Sequence, residues 1–218
     1  MFEKNPPKNI DLPAEIISKR NSALFWRQFG IAKDINKHGI DLYHGLSAEL
    51  PYARPKKAKL VVTIHDLIYM KYPEYYKPID RYIYAHKTEN ALRTADAIIA
   101  ISEQTKTDLQ SIMPDDDIPI EVIYQDCDNL FYQEVGDAQK RKVVKKYNLP
   151  SSFIVMVSKF EKRKNHLKVL EAIRTLPEDS LPIVMAGKKG DTYEAVQTYI
   201  QEHNLGSRVQ IIENVPTH

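Results

Sequence analysis

Leu60-Val61-Val62-Thr63-Ile64-His65-Asp66-Leu67 is the stretch whose reading decides the fold. Its apolar part is continuous rather than alternating, as expected of a strand buried on both faces of a parallel sheet. It stops at an imidazole and a carboxylate. In an open α/β sheet the carboxyl ends of the strands are where ligands bind. His65 and Asp66 are therefore candidate site residues, with His65 the titratable group and Asp66 placed to fix its tautomer.

Working outward, apolar runs of strand length recur at residues 40–43, 97–101, 120–124, 153–157, 183–186 and 209–212. Helical patterns lie between most of them. Ile79, Tyr82, Ile83 and His86 share one helical face, as do Leu167, Leu170 and Ile173. Ser102 can cap a helix starting at Glu103, and Asp191 with Glu194 has capping-box spacing. Strand–helix alternation predicts parallel sheets with right-handed crossovers. Residues 125–136 are polar and irregular, and a charged helix follows over 137–147, ended by Asn148-Leu149-Pro150. We expect a first domain over 1–134 and a second beginning at 135 and running to 218, with its sheet opening at Phe153.

Lys and Arg number 31 against 29 Asp and Glu, a balance that argues against general nucleic-acid binding. The single cysteine, Cys127, forms no internal disulfide, fits a reducing cytosol and reads as a small, partly buried side chain. No apolar run approaches the ~20 residues of a membrane-spanning helix, and the Pro-rich start lacks an apolar signal core.

A second stretch, Glu161-Lys162-Arg163-Lys164-Asn165, sets a basic cluster before a helix, which suits a phosphate. A titratable His at one strand end and phosphate chemistry at another point to an enzyme using a phosphorylated donor. Gly187-Lys188-Lys189-Gly190 is a flexible turn at a further strand end. Gly45 after His44 permits a turn or a close ligand approach. Tyr69, Tyr72, Tyr75, Tyr76, Tyr82 and Tyr84 read as half-buried packing. Arg54, Lys56, Lys57 and Lys59 form a basic loop able to touch anionic lipid but more readily solvated. Glu194 and Glu202 read as a solvated helix face. Asp115-Asp116-Asp117 reads as a solvated turn, not a metal site.

Asp41-Leu42-Tyr43-His44-Gly45-Leu46-Ser47, the His65-Asp66 strand end, residues 95–102 and Arg163-Lys164-Asn165 occur in an order and spacing that resemble bacterial family 4 (group 1) glycosyltransferases. The resemblance covers roughly residues 35–215. It implies the GT-B plan of two doubly wound Rossmann-like α/β domains facing a cleft, here both incomplete. The family's Gly-rich first turn and its late Glu-x7-Glu motif are not found, and Glu194 and Glu202 come too early to serve as the latter. The chain as given is therefore expected to be inactive alone. The implied reaction moves a sugar, of hexosyltransferase type, from a nucleoside diphosphate donor to a hydroxyl acceptor, glycan or lipid-linked, with retention at the anomeric carbon. His65 and Asp66 would be catalytic. Lys159, Arg163, Lys164 and Gly187 would hold the donor. His44 and Gly45 would face the acceptor. No metal or other cofactor is implied, since the nucleotide sugar is a substrate. The implied location is cytoplasmic, with room for peripheral contact at the inner membrane face. The alternative is a non-catalytic fragment or subunit that binds nucleotide or a partner protein. A nicotinamide dehydrogenase is disfavoured, because no Gly-x-Gly-x-x-Gly follows any strand.

Overall fold

The computed structural model describes residues 26–113 and 118–215. The chain start and the Asp115–Asp117 run lie outside them. Contacts divide the chain into two compact units, one ending at Asp126 and one beginning at Cys127.

In the first unit α1 (Ile31–His38) precedes β1 (Leu42–Gly45), β2 (Lys59–Ile64), α2 (Ile68–Lys71), α3 (Pro78–Thr94), β3 (Ala97–Ala100), α4 (Glu103–Ile112) and β4 (Ile120–Val122). The four strands are parallel, in the order β1-β2-β3-β4. Central β2 registers Val61 on Ala97 and His44 on Val61. Its Leu60, Val62 and Ile64 are fully buried, and Ile98, Ala100 and Leu109 join the same core. Each such aliphatic side chain contributes about 1.5–3 kcal/mol of burial. Ser102 Oγ accepts from Thr105 N at 3.1 Å and caps α4 as the sequence predicts.

The second unit holds α5 (Asp137–Tyr147), β5 (Ile154–Val157), α6 (His166–Thr175), β6 (Ile183–Gly187), α7 (Tyr193–Glu202) and β7 (Val209–Glu213). Its parallel sheet runs β5-β6-β7. Phe160, Leu170, Ile173, Met185 and Val196 form the core. Each unit is an α/β unit with a parallel sheet whose strands follow one another in sequence order.

Several expectations are corrected. On α3 the Ile79, Tyr82 and Ile83 face is exposed, and only the second half, with Thr88, Asn90, Ala91 and Leu92, is buried. Asn90 donates to the Leu50 carbonyl at 3.1 Å, so the helix is anchored from its far end. Tyr72, Tyr75, Tyr82 and Tyr84 are likewise exposed, whereas Tyr69 is buried. Strand β5 is an edge with Ile154, Val155 and Val157 exposed, not covered on both faces. Cys127 is exposed. The Asp191–Glu194 capping box does not form. Instead α7 starts after Thr192, whose N–H donates to the Phe160 carbonyl at 3.2 Å. Asn148 ends α5 by turning left-handed at φ 48°, before Pro150 acts. Within the basic loop, Arg54 and Lys59 bind Asp96 at 2.7 and 3.1 Å.

Candidate functional site

His65 is the first residue past β2, and its surroundings hold it at two points. Its Nε2 lies 2.8 Å from the Leu46 carbonyl, and its own carbonyl accepts the Thr105 hydroxyl at 2.9 Å. A carbonyl only accepts, so we assign the ring proton to Nε2, which leaves Nδ1 as the acceptor. Asp66 does not fix the tautomer, as its neighbouring position suggested. Its carboxylate accepts Ile68 N at 3.1 Å and caps the start of α2.

The loop carrying Leu46 is bent back over β2. Ala48 N donates to the Thr63 carbonyl at 2.9 Å, with Ala48 itself at φ 50°. A Cβ on Gly45 would overlap the Glu49 carbonyl, so this glycine serves close approach rather than a positive φ. His44 Nε2 sits 2.8 Å from Thr63 Oγ1, and burial pushes its pKa down. His44, Gly45, His65 and Asp66 are thus gathered at the carboxyl ends of β1 and β2.

In the second unit the basic stretch follows β5. Lys162–Lys164 form one 3-10 turn, Asn165 turns left-handed at φ 55°, and α6 begins at His166. Glu161 is the organiser that sequence reading missed. Its carboxylate holds Lys159 at 2.8 Å and Arg163 at 3.1 Å, and its pKa falls chiefly through the Lys159 hydrogen bond. Lys164 is exposed and makes no ion pair among the described residues. A Cβ on Gly187 would overlap the Ser158 carbonyl, and one on Gly190 would overlap that of Phe160. The glycine turn therefore lies against the backbone of the basic stretch, bringing Lys159, Arg163, Lys164 and Gly187 to the carboxyl ends of β5 and β6.

Two further groups were missed. His166 is buried beneath this turn. A signal was available, because His166, Leu170 and Ile173 stand at i, i+4 and i+7 on the core face of α6. Beyond β6, the Tyr193 hydroxyl donates to Glu213, with Lys189 Nζ 3.5 Å from the same carboxylate and 4.4 Å above the Tyr193 ring. The Glu213 hydrogen bond, with burial, pushes the Tyr193 phenol up to about 12. Nothing in the residue spacing signals that contact across twenty positions. Among the described residues no group of three or more His, Cys, Asp or Glu is placed to hold a metal. No helix there is long and apolar enough to cross a membrane.

Comparison with known proteins adds the following. No curated protein matches the chain. Among solved structures, Anabaena Alr3699/HepE in complex with UDP aligns at 17% identity over 84% of this chain and 50% of that one, with a TM-score of 0.61. The same protein with UDP and glucose aligns at 16% identity over 86% and 52%, TM-score 0.62. Sucrose-phosphate synthase from Thermosynechococcus elongatus aligns at 16% over 85% and 48%, TM-score 0.59. At such identities the likeness is one of fold, and the chain spans about half the length of these structures. A model of glycosyl transferases group 1 matches residues 137–218. The model of Glycosyltransferase Family 4 matches residues 4–125, more than half of the 218, and the chain belongs to that family.

Proposed function

We propose that this chain carries part of a retaining glycosyltransferase site, moving a hexose from a nucleoside diphosphate sugar to a hydroxyl of a glycan or lipid-linked acceptor. One observation carries the reading. Lys164 stands unpaired among the described residues, in a basic turn that leads into the N-terminus of α6 at the carboxyl end of a parallel sheet. A departing diphosphate gains negative charge, which a fixed ammonium and helix-start N–H groups oppose. Membership of the family and the UDP bound in a structural neighbour support this choice of ligand.

Lys164 meets the diphosphate directly. Lys159 and Arg163 add charge that Glu161 partly neutralises, and Gly187 keeps the β6 turn close to Ser158. His65, with Nε2–H committed to Leu46, offers Nδ1 to a hydroxyl of the sugar and orients it. Asp66 supports that strand end by capping α2, and His44 and Gly45 shape the acceptor side. The departing phosphate takes the acceptor's proton, so no protein base is required. Since these cations supply the positive charge, the reading requires no metal. Peripheral contact with anionic lipid would rest on Lys56 and Lys57, because Arg54 and Lys59 are engaged by Asp96.

The test is calorimetric titration of the chain with UDP. Lys164→Ala should weaken binding, and in a transfer assay of the chain extended to the length of its structural relatives, over a panel of nucleotide sugars, it should cost about 100-fold in rate, the scale for one such contact. His65→Ala should spare UDP binding and depress transfer. UDP affinity indifferent to Lys164 would overturn the reading, while nucleotide binding without transfer by the extended protein would favour the non-catalytic alternative.

A further inference from the structure

His166 is 2% exposed, and its two ring nitrogens differ in surroundings. Nε2 lies 3.0 Å from Ser158 Oγ, whereas Nδ1 is buried with no hydrogen-bond partner. The ring stacks on Phe160 with centroids 4.5 Å apart at 19°, and Phe160 meets Tyr193 edge-on at 5.2 Å. A phenylalanine or leucine would fill this place without stranding a nitrogen. A buried unpaired polar atom costs free energy, so its presence calls for a reason.

The reason lies in what the Ser158–His166 bond encloses. Ser158 is the first residue past β5, and His166 is the first of α6. Between them stand Lys159, Glu161, Lys162, Arg163 and Lys164, all the charged groups of the basic turn. The bond therefore closes the base of that turn. Within it, Phe160 N donates to the Lys188 carbonyl at 3.1 Å and the Phe160 carbonyl accepts Thr192 N at 3.2 Å. The turn is thus held at its base by one side-chain bond and near its start by two backbone bonds, one to Lys188 of the Gly187–Gly190 turn and one to Thr192 at the start of α7.

We propose that His166 is a positioning residue for the anion site, clamping Ser158 to the start of α6 so that Lys159, Arg163 and Lys164 are set for a nucleoside diphosphate. The inference rests on the phosphate reading of the basic turn. His166 does not touch the ligand. It acts through Ser158 and through the α6 start, whose N–H groups face the same end. Preorganised cations bind an anion without the entropy cost of ordering a loose loop.

The test compares the full chain with four variants by UDP titration and by melting temperature. His166→Phe keeps the ring stack and removes the bond to Ser158. It should melt no lower than the wild type, yet bind UDP about tenfold more weakly, the scale of one lost hydrogen bond near a charge. Ser158→Ala removes the same bond from the other end and should match it in UDP affinity. His166→Gln, whose Nε2 can still reach Ser158 Oγ, should stay within about threefold of the wild type. Lys164→Ala reports on the phosphate reading alone. Wild-type affinity in His166→Phe or Ser158→Ala overturns the inference while Lys164→Ala still weakens binding. Parallel loss of melting temperature and affinity in all His166 and Ser158 variants also overturns it, by reducing His166 to packing. Indifference to Lys164→Ala, or no UDP binding by the wild type, removes the phosphate reading and this inference with it.

Discussion

Glu161 grips Lys159 at 2.8 Å in the very turn proposed to receive a diphosphate, with Arg163 on its other carboxylate oxygen. A phosphate arriving there meets cations already partnered by an internal anion. Glu161→Gln removes the competing charge and keeps the side-chain shape. It should tighten UDP binding about threefold, in keeping with the small worth of a partly exposed ion pair. Titration calorimetry at low and high salt reads this. Weaker binding in the variant would mean that Glu161 aims the cations rather than occupying them.

Acid should destabilise the chain in two separate windows. Burial lowers the pKa of both His44 and His166, with Lys164 adding to the effect on His166. A base whose folded pKa lies below its unfolded value favours the folded state while neutral. The unfolded chain takes up protons first, so stability is full above about pH 6.5 and falls below it. Asp96, Asp108 and Glu161 have lowered pKa values, and their contribution is lost only below about pH 4. The melting temperature should therefore drop between about pH 7 and pH 5, and His44→Gln combined with His166→Phe should flatten that step. An unchanged step in the double variant would assign it to other groups.

What was legible follows from periodicity. Residues 60–64 read as a buried strand because every side chain there is apolar or β-branched, and β2 is the centre of its sheet. Leu170 and Ile173 read as a core face because their spacing matches a helix turn. Exposure was not legible. Spacing shows that Ile79, Tyr82 and Ile83 share a face of α3, but not whether anything lies against it. The strand ends marked His65 and Lys164, since a change from apolar to polar is visible in sequence. The partners of those groups were hidden. The Leu46 carbonyl on His65 is a backbone atom that no side-chain pattern predicts, and Glu161 joins its cations through an irregular turn that has no period.

Gly45 and Gly187, like Gly190, should prove irreplaceable for steric reasons. A methyl on Gly45 would overlap the Glu49 carbonyl, and one on Gly187 the Ser158 carbonyl, both backbone atoms that yield only if the chain around them shifts. Either alanine variant should lose about 1–3 kcal/mol. Gly206→Ala is the control, since nothing lies within 4 Å of its added methyl. Thermal melts of the three variants separate the cases. If Gly187→Ala melts with the Gly206→Ala protein, the β6 turn does not lie as close to Ser158 as described. Gly187→Ala should also weaken UDP binding, because the carbonyl it displaces belongs to the residue that begins the basic turn.

The open edge of the second sheet should govern self-association. Among the described residues strand β5 pairs only with β6, and Val157, Val155 and Ile154 are 76%, 58% and 45% exposed. An unpaired strand edge bearing exposed aliphatics on both faces is a template for another strand. The chain should therefore associate with rising concentration. Val155→Lys should suppress this, because a charge on an edge strand opposes pairing there while the solvated ammonium costs the folded chain little. The surface substitution Val143→Lys, on α5, whose last residue accepts a hydrogen bond from Gln210 of β7 at the opposite edge, should leave association unchanged. Sedimentation velocity across a concentration series distinguishes them. A wild-type chain that stays monomeric throughout, or a Val155→Lys variant that associates equally well, would show that this edge is not what brings copies together.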